Sequence, residues 1–134
     1  MRHPKLQVMV VEPSAIVRSV MAEWIAVHGH EVVYACGNAQ QAIAAFDKVD
    51  VDLLVLNPDL AGNSGVELLQ EKQSYQDLRG IPTILIVQSQ AVYGEHRRAL
   101  EQLGVSQVID RHLLSAATIG RALEQHVNEL AGRL

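Results

Sequence analysis

The chain has 134 residues, 49% of them hydrophobic and 19% charged, with a formal net charge of −4. This is enough chain for one buried core, and the mixture is that of a folded globular domain. The acidic balance gives no global field toward nucleic acid or an anionic membrane, and a lone cysteine, Cys36, excludes an intrachain disulfide or a cysteine-rich zinc site.

Leu6 to Val11 predicts a buried first strand. It follows the N-terminus directly, without the apolar stretch and cleavage pattern of a signal peptide. Ser14 is placed to cap a helix from Ala15 to about His28, with Gly29 just past its end. Val17, Met21, Trp24 and His28 recur at helical spacing and are expected to face a sheet. Glu31 to Cys36 predicts a second strand, and Asn38 caps a short helix carrying Ala42, Ile43 and Phe46. The unbroken apolar run Leu53 to Leu56 has the character of a central parallel strand. The turn-rich loop Asn57 to Gly65 leads into a helix with Val66, Leu68 and Leu69. Thr83 to Val87 is the fourth strand, and a helix from about Val92 to Leu103 stops at Gly104. Val105 to Ile109 is the fifth strand. Ser115 caps a last helix whose apolar stripe is Ile119, Leu123, Val127, Leu130 and Leu134. No apolar run approaches the roughly 20 residues of a membrane span.

Strict alternation of strand and helix predicts an α/β fold, a parallel sheet with helices on both faces and one domain over residues 1–134. In such sheets ligands and chemistry gather at the carboxyl ends of the strands. The residues to read there are Glu12, Pro13, Asn57, Val87 and Arg111.

In that light the chain resembles the receiver domain of response regulators in two-component signalling. The resemblance rests on the run Val8 to Arg18, on His28 to Val32, on Asp52 to Asn57, on the loop Gly62-Asn63-Ser64-Gly65, on Ile81-Pro82 and on Leu103-Gly104-Val105. It covers nearly the whole chain. It implies a flavodoxin-like, doubly wound sheet of five strands in the order 2-1-3-4-5 with five helices; without a signal-peptide pattern or a membrane-length apolar run, the default expectation is a cytoplasmic protein.

The resemblance also implies a chemistry. Two acids after the first strand and an aspartate after the third hold Mg²⁺, and that aspartate takes up the phosphoryl group. A Ser/Thr after the fourth strand and a Lys after the fifth bind the phosphoryl oxygens. A carboxylate can approach a dianionic phosphoryl group only where cations offset the charge.

The sequence departs from this set almost throughout. Glu12 matches the first acid, but Pro13 replaces the second and offers no side-chain ligand. Asn57 stands at the aspartate's place, and a neutral amide cannot form the acyl phosphate. Val87, counted from Pro82, stands at the Ser/Thr place; counting back from Arg111 gives Ser89 instead. Arg111 stands for the Lys, and Val108 for the switching aromatic. Deamidation of Asn57 is no rescue, because the usual route uses the backbone N–H of the following residue and Pro58 has none.

Other residues are read the same way. Asp59 is an alternative acceptor or metal ligand with Glu12, or a solvated loop acid; the second reading is preferred, since one surviving acid of the pair is a poor Mg²⁺ site. Arg111 is expected to bridge Glu12 across the strand ends. The histidines lack the spacing of a zinc motif. On the first helix Ala15, Ser19, Ala22 and Ala26 form a small-residue stripe opposite the core. Tyr93, Arg97 and Glu101 on the fourth helix, and Arg121, Gln125 and Asn128 on the fifth, mark the output face that the resemblance implies.

The expected function is a phosphorylation-independent receiver-like module, a pseudo-receiver with no catalytic residue, metal or cofactor. Its partner would be a signalling protein, its own effector domain or a second copy in a homodimer, with no nucleic-acid or membrane contact. The alternatives are an atypical receiver still modified or binding an anion or metal near Glu12, Asp59 and Arg111, and a flavodoxin-like small-molecule binder. Against the latter, Glu12-Pro13-Ser14 occupies the place of a Gly-rich phosphate loop.

Overall fold

A computed structural model describes residues 4–61 and 64–133; Leu134 of the predicted stripe and Gly62 and Asn63 of the quoted loop lie outside them. The elements follow in the expected order: β1 (Gln7–Val11), α1 (Ala15–Val27), β2 (Glu31–Cys36), α2 (Ala39–Ala45), β3 (Leu53–Leu56), α3 (Ser64–Ser74), β4 (Thr83–Val87), α4 (Gln90–Gln102), β5 (Val105–Asp110), a 3₁₀ turn (Arg111–Leu113) and α5 (Ala116–Arg133). The five strands form one parallel sheet in the order β2-β1-β3-β4-β5.

Period-two alternation along the strands makes two cores. Val8, Val10, Leu53, Val55, Ile84 and Ile86 face α1 and α5, where Met21, Ile25, Ile119, Leu123 and Val127 meet them. Met9, Val11, Leu54, Leu56, Leu85 and Val87 form the other core with Ala42 and Ala45 of α2 and Leu68 and Leu69 of α3, and Tyr93 and Leu100 of α4 pack partly buried against it. The central strand β3 is fully buried, as its unbroken apolar run requires. Burying each of its leucines contributes about 2 kcal/mol.

The helix ends follow the sequence. Ser14 Oγ accepts from Val17 N–H, and Asn38 Oδ1 from Gln41 N–H. Ser115 and Thr118 exchange reciprocal bonds at the start of α5. Gly29 and Gly104 take positive φ, +87° and +88°, past the ends of α1 and α4, where a side chain would be strained.

One expectation for α1 needs correction. Met21 and Ile25 are the fully buried residues of its core face, and Val17 and Trp24 pack partly buried against the same core. His28 does not face the sheet. As the C-cap residue it has left the helical track, and its ring lies against Gly120 of α5, where Nε2 donates to the Ala116 carbonyl (2.9 Å). His30 Nδ1 accepts from Leu6 N–H (3.0 Å), and burial, helped by His28, holds its pKa below the usual histidine value.

Candidate functional site

The sheet positions Glu12 and Asn57 side by side. Strands β1 and β3 pair in register Val11 to Leu56, and the ladder runs one residue further. Asn57 N–H donates to Val11 O (2.9 Å), and Glu12 N–H donates to Cys36 O (2.9 Å). Both side chains are buried, at 5% and 7% exposure.

A buried carboxylate is costly unless its oxygens are occupied by donors. Here they are. Glu12 Oε1 accepts from Asn57 Nδ2 (2.9 Å), and Oε2 accepts from Ser14 N–H (2.6 Å). Asn57 Oδ1 accepts from Asp59 N–H (2.9 Å), an Asx turn across Pro58. The amide orientation is therefore set by its partners: nitrogen toward the acid, oxygen toward the loop. The whole cluster is self-satisfied.

Arg18 completes the wall. Its Nη1 donates to the Glu12 backbone carbonyl (2.7 Å) and passes over Gly37, where a Cβ would stand 3.0 Å from that nitrogen. Sequence reasoning gave Arg18 no role. The available signal was its place one turn beyond the Ser14 cap, facing back toward the strand ends.

Arg111 does not bridge Glu12. It is exposed at the start of the 3₁₀ turn, and among the described residues the ion pairs are Lys5–Glu31 and Arg97–Glu101. Asp110 sets this turn by accepting from His112 N–H (2.8 Å). Glu12 meanwhile has both oxygens engaged, so the pull expected of an unpaired acid is absent. Pro13 and Asp59 are exposed, Val87 is buried in the second core cluster, and Ser89 is half-buried beyond it, its carbonyl accepting from Tyr93 N–H (3.3 Å). Among the described residues no three His, Cys, Asp or Glu side chains gather as a metal-holding group.

The interaction candidates stay on the surface. Ala15, Ser19 and Ala26 are exposed and Ala22 half-buried. Beside them stand Ile16 (78% exposed), Val20 (36%) and Val27 (76%), an apolar stripe next to the small residues. Its i, i+4, i+11 spacing was the readable signal. On the other face Tyr93 is half-buried, and Arg97 Nε meets Glu101 Oε1 at 3.0 Å. Arg121, Gln125 and Asn128 are exposed, Val108 is half-buried, and Gln125 Oε1 accepts from Gln107 Nε2.

Asn57→Asp should destabilise the fold by about 2 kcal/mol at pH 7, since a carboxylate oxygen would then face Glu12 Oε1 where an N–H donor stood. Two carboxylates at this distance share a proton held above the usual carboxylate range. A raised folded-state pKa gives stability that is present at about pH 4 and lost as pH rises. Urea unfolding of the variant at pH 4 and pH 7 checks this; an equal deficit at both would contradict it.

Comparison with known proteins agrees with the fold. The family profile of the response regulator receiver domain matches residues 8–123. The chemotaxis response regulator CheY4 of Vibrio cholerae superposes with a TM-score of 0.81 at 15% identity, covering 92% of this chain and 99% of that one. A CheY-like receiver domain protein from Methanospirillum hungatei gives 0.82 at 14% identity, covering 98% and 100%. The receiver domain of AraT from Geobacillus stearothermophilus gives 0.80 at 15% identity, covering 97% and 98%. No curated protein sequence matches the chain. With the profile spanning most of its length, the chain belongs to the response regulator receiver domain family.

Proposed function

We propose that this receiver domain works without phosphorylation, as a regulatory module that acts by protein–protein contact and carries no catalytic residue. The observation that supports this reading is the 2.9 Å bond from Asn57 Nδ2 to Glu12 Oε1. It puts a neutral amide at the acceptor's place and uses the acid that would otherwise help hold a cation. Pro13 leaves the cation short of a second ligand, so Asn57→Asp alone does not restore the chemistry.

The partner is a signalling protein, an effector domain or a second copy. Two surfaces offer themselves: the α1 stripe of Ile16, Val20 and Val27 beside Ala15, Ser19, Ala22 and Ala26, and the α4–β5–α5 face with Tyr93, Arg97, Glu101, Arg121 and Gln125. Proteins retained from host lysate by the immobilised chain should be the same with and without acetyl phosphate and Mg²⁺. A partner retained only in their presence would overturn the reading. Ile16→Glu should then reduce retention at least tenfold if the α1 stripe is the contact, and Arg97→Glu if the other face is. Full retention by both folded variants would exclude both surfaces.

A further inference from the structure

Strand β5 contains a bulge that is tied to α5 through a histidine. Thr83 pairs with Val105 and Ile84 with Gln107, so Ser106 is the extra residue, opposed by nothing on β4. Its hydroxyl lies 3.2 Å from the Thr83 carbonyl oxygen and 2.7 Å from His126 Nε2. His126 is 3% exposed, and its Nδ1 stands 2.8 Å from the Ala122 carbonyl oxygen.

The protons in this chain can be counted. A carbonyl only accepts, so Nδ1 must carry a hydrogen to bond Ala122. With a neutral ring, Nε2 is then a lone pair. The single hydroxyl hydrogen of Ser106 serves either Nε2 or the Thr83 carbonyl, not both. With a protonated ring, Nε2–H donates to Ser106 Oγ, and the hydroxyl hydrogen is free for Thr83. Both heavy-atom distances already suit either arrangement, so the change needs one proton and no side-chain rearrangement. Ser106 is itself exposed and gives that proton a route from solvent.

We propose that the Ser106–His126 pair is a proton-operated switch that ties the β5 bulge to α5. One proton taken up at Nε2 turns the Ser106 hydroxyl from the ring to the Thr83 carbonyl and adds a hydrogen bond between β4 and β5. The charged groups sharing a cavity of about 140 Å³ with His126 are Asp52, from the start of β3, and Glu129, one turn on along α5; both are acidic. Asp52 is held in place by accepting from Gln7 N–H (2.8 Å). The residue after Ser106 and the residue before His126, Gln107 and Gln125, make a second tie between β5 and α5.

The test is imidazole ¹⁵N and carbonyl ¹³C NMR on the intact chain, followed as the pH is lowered stepwise while the chain stays folded. In the neutral form His126 should be the Nδ1–H tautomer. On acidification the ring should protonate, and the Thr83 carbonyl shift should move with the same midpoint. In Ser106→Ala the ring should still titrate, but the Thr83 response should be lost. A neutral Nε2–H tautomer, a ring that does not titrate, or a Thr83 carbonyl that stays still or moves equally without the hydroxyl would overturn the proposal. If Ser106→Ala does not fold, the wild-type tautomer and Thr83 midpoint decide it.

Discussion

Lys72→Met should raise the unfolding free energy at pH 7 by about 3 kcal/mol, or roughly 10 °C in Tm for a domain of this size. Lys72 is 1% exposed, near the end of α3, with Nζ donating to Gln73 Oε1 (3.0 Å) and no carboxylate partner among the described residues. Its amine fits there because Gly104 has no side chain: a Cβ at that position would stand 3.0 Å from Nζ. Burial pushes its pKa down from 10.5 to about 8. The unfolded chain thus binds the proton more tightly than the native one, and stability rises with pH between those two values. At pH 7 the protonated lysine carries the full penalty; near pH 10 most of it is gone. Methionine fills similar space without a charge. Urea unfolding at pH 7 and pH 10 should therefore show a large gain for the variant at the lower pH and a small one at the higher. A pH-independent difference, or a loss at pH 7, would show that the amine is not the source of the penalty.

Gly65→Ala should cost about 3 kcal/mol or more, at the upper end for overpacking. A Cβ on Gly65 would overlap the Pro58 carbonyl, with the carbonyl carbon 2.8 Å away. That obstacle is backbone, and it belongs to the turn in which Asn57 accepts from Asp59. Either the first turn of α3 moves off the loop, or the loop moves and loosens the Asn57–Glu12 pair. Gly120→Ala is the control. A Cβ there would come within 2.5 Å of His28 Nε2, but the imidazole is the far end of an exposed side chain and can turn away at the loss of its bond to the Ala116 carbonyl. It should cost about 1 kcal/mol, and His28→Ala in the same chain should recover most of that. Denaturation midpoints of the three variants check the order; a Gly65→Ala as stable as Gly120→Ala would contradict it.

The contrast between these sites shows what a sequence makes legible. The strands were readable because Leu53–Leu56 and Thr83–Val87 are continuous apolar runs bounded by turn residues, and all nine residues are buried. The neighbourhood of Glu12 and Asn57 was readable too, since residues ending adjacent parallel strands must meet. Their partners were not. Whether Glu12 binds Arg111 or Asn57 depends on where a short 3₁₀ turn aims one side chain, and the Asp110 cap that sets that turn leaves Arg111 in solvent. Lys72 lay deeper out of reach. A lysine on a polar helix reads as solvated, and only the missing side chain at Gly104, on a different element far along the chain, makes room for it. Ser106 was passed over for a related reason: a one-residue bulge leaves no trace in the apolar pattern of β5.

The absence of phosphoryl chemistry is the central claim, and it has a direct measurement. The intact chain is incubated with acetyl phosphate and Mg²⁺, and its mass is read by electrospray under conditions that preserve acyl phosphates, with a phosphorylatable receiver treated alongside. The wild-type chain and Asn57→Asp should both remain at their unmodified masses while the control gains one phosphoryl group. A phosphoryl adduct on the wild-type chain, mapped to Asp59 or to any other residue at the strand ends, would contradict the account.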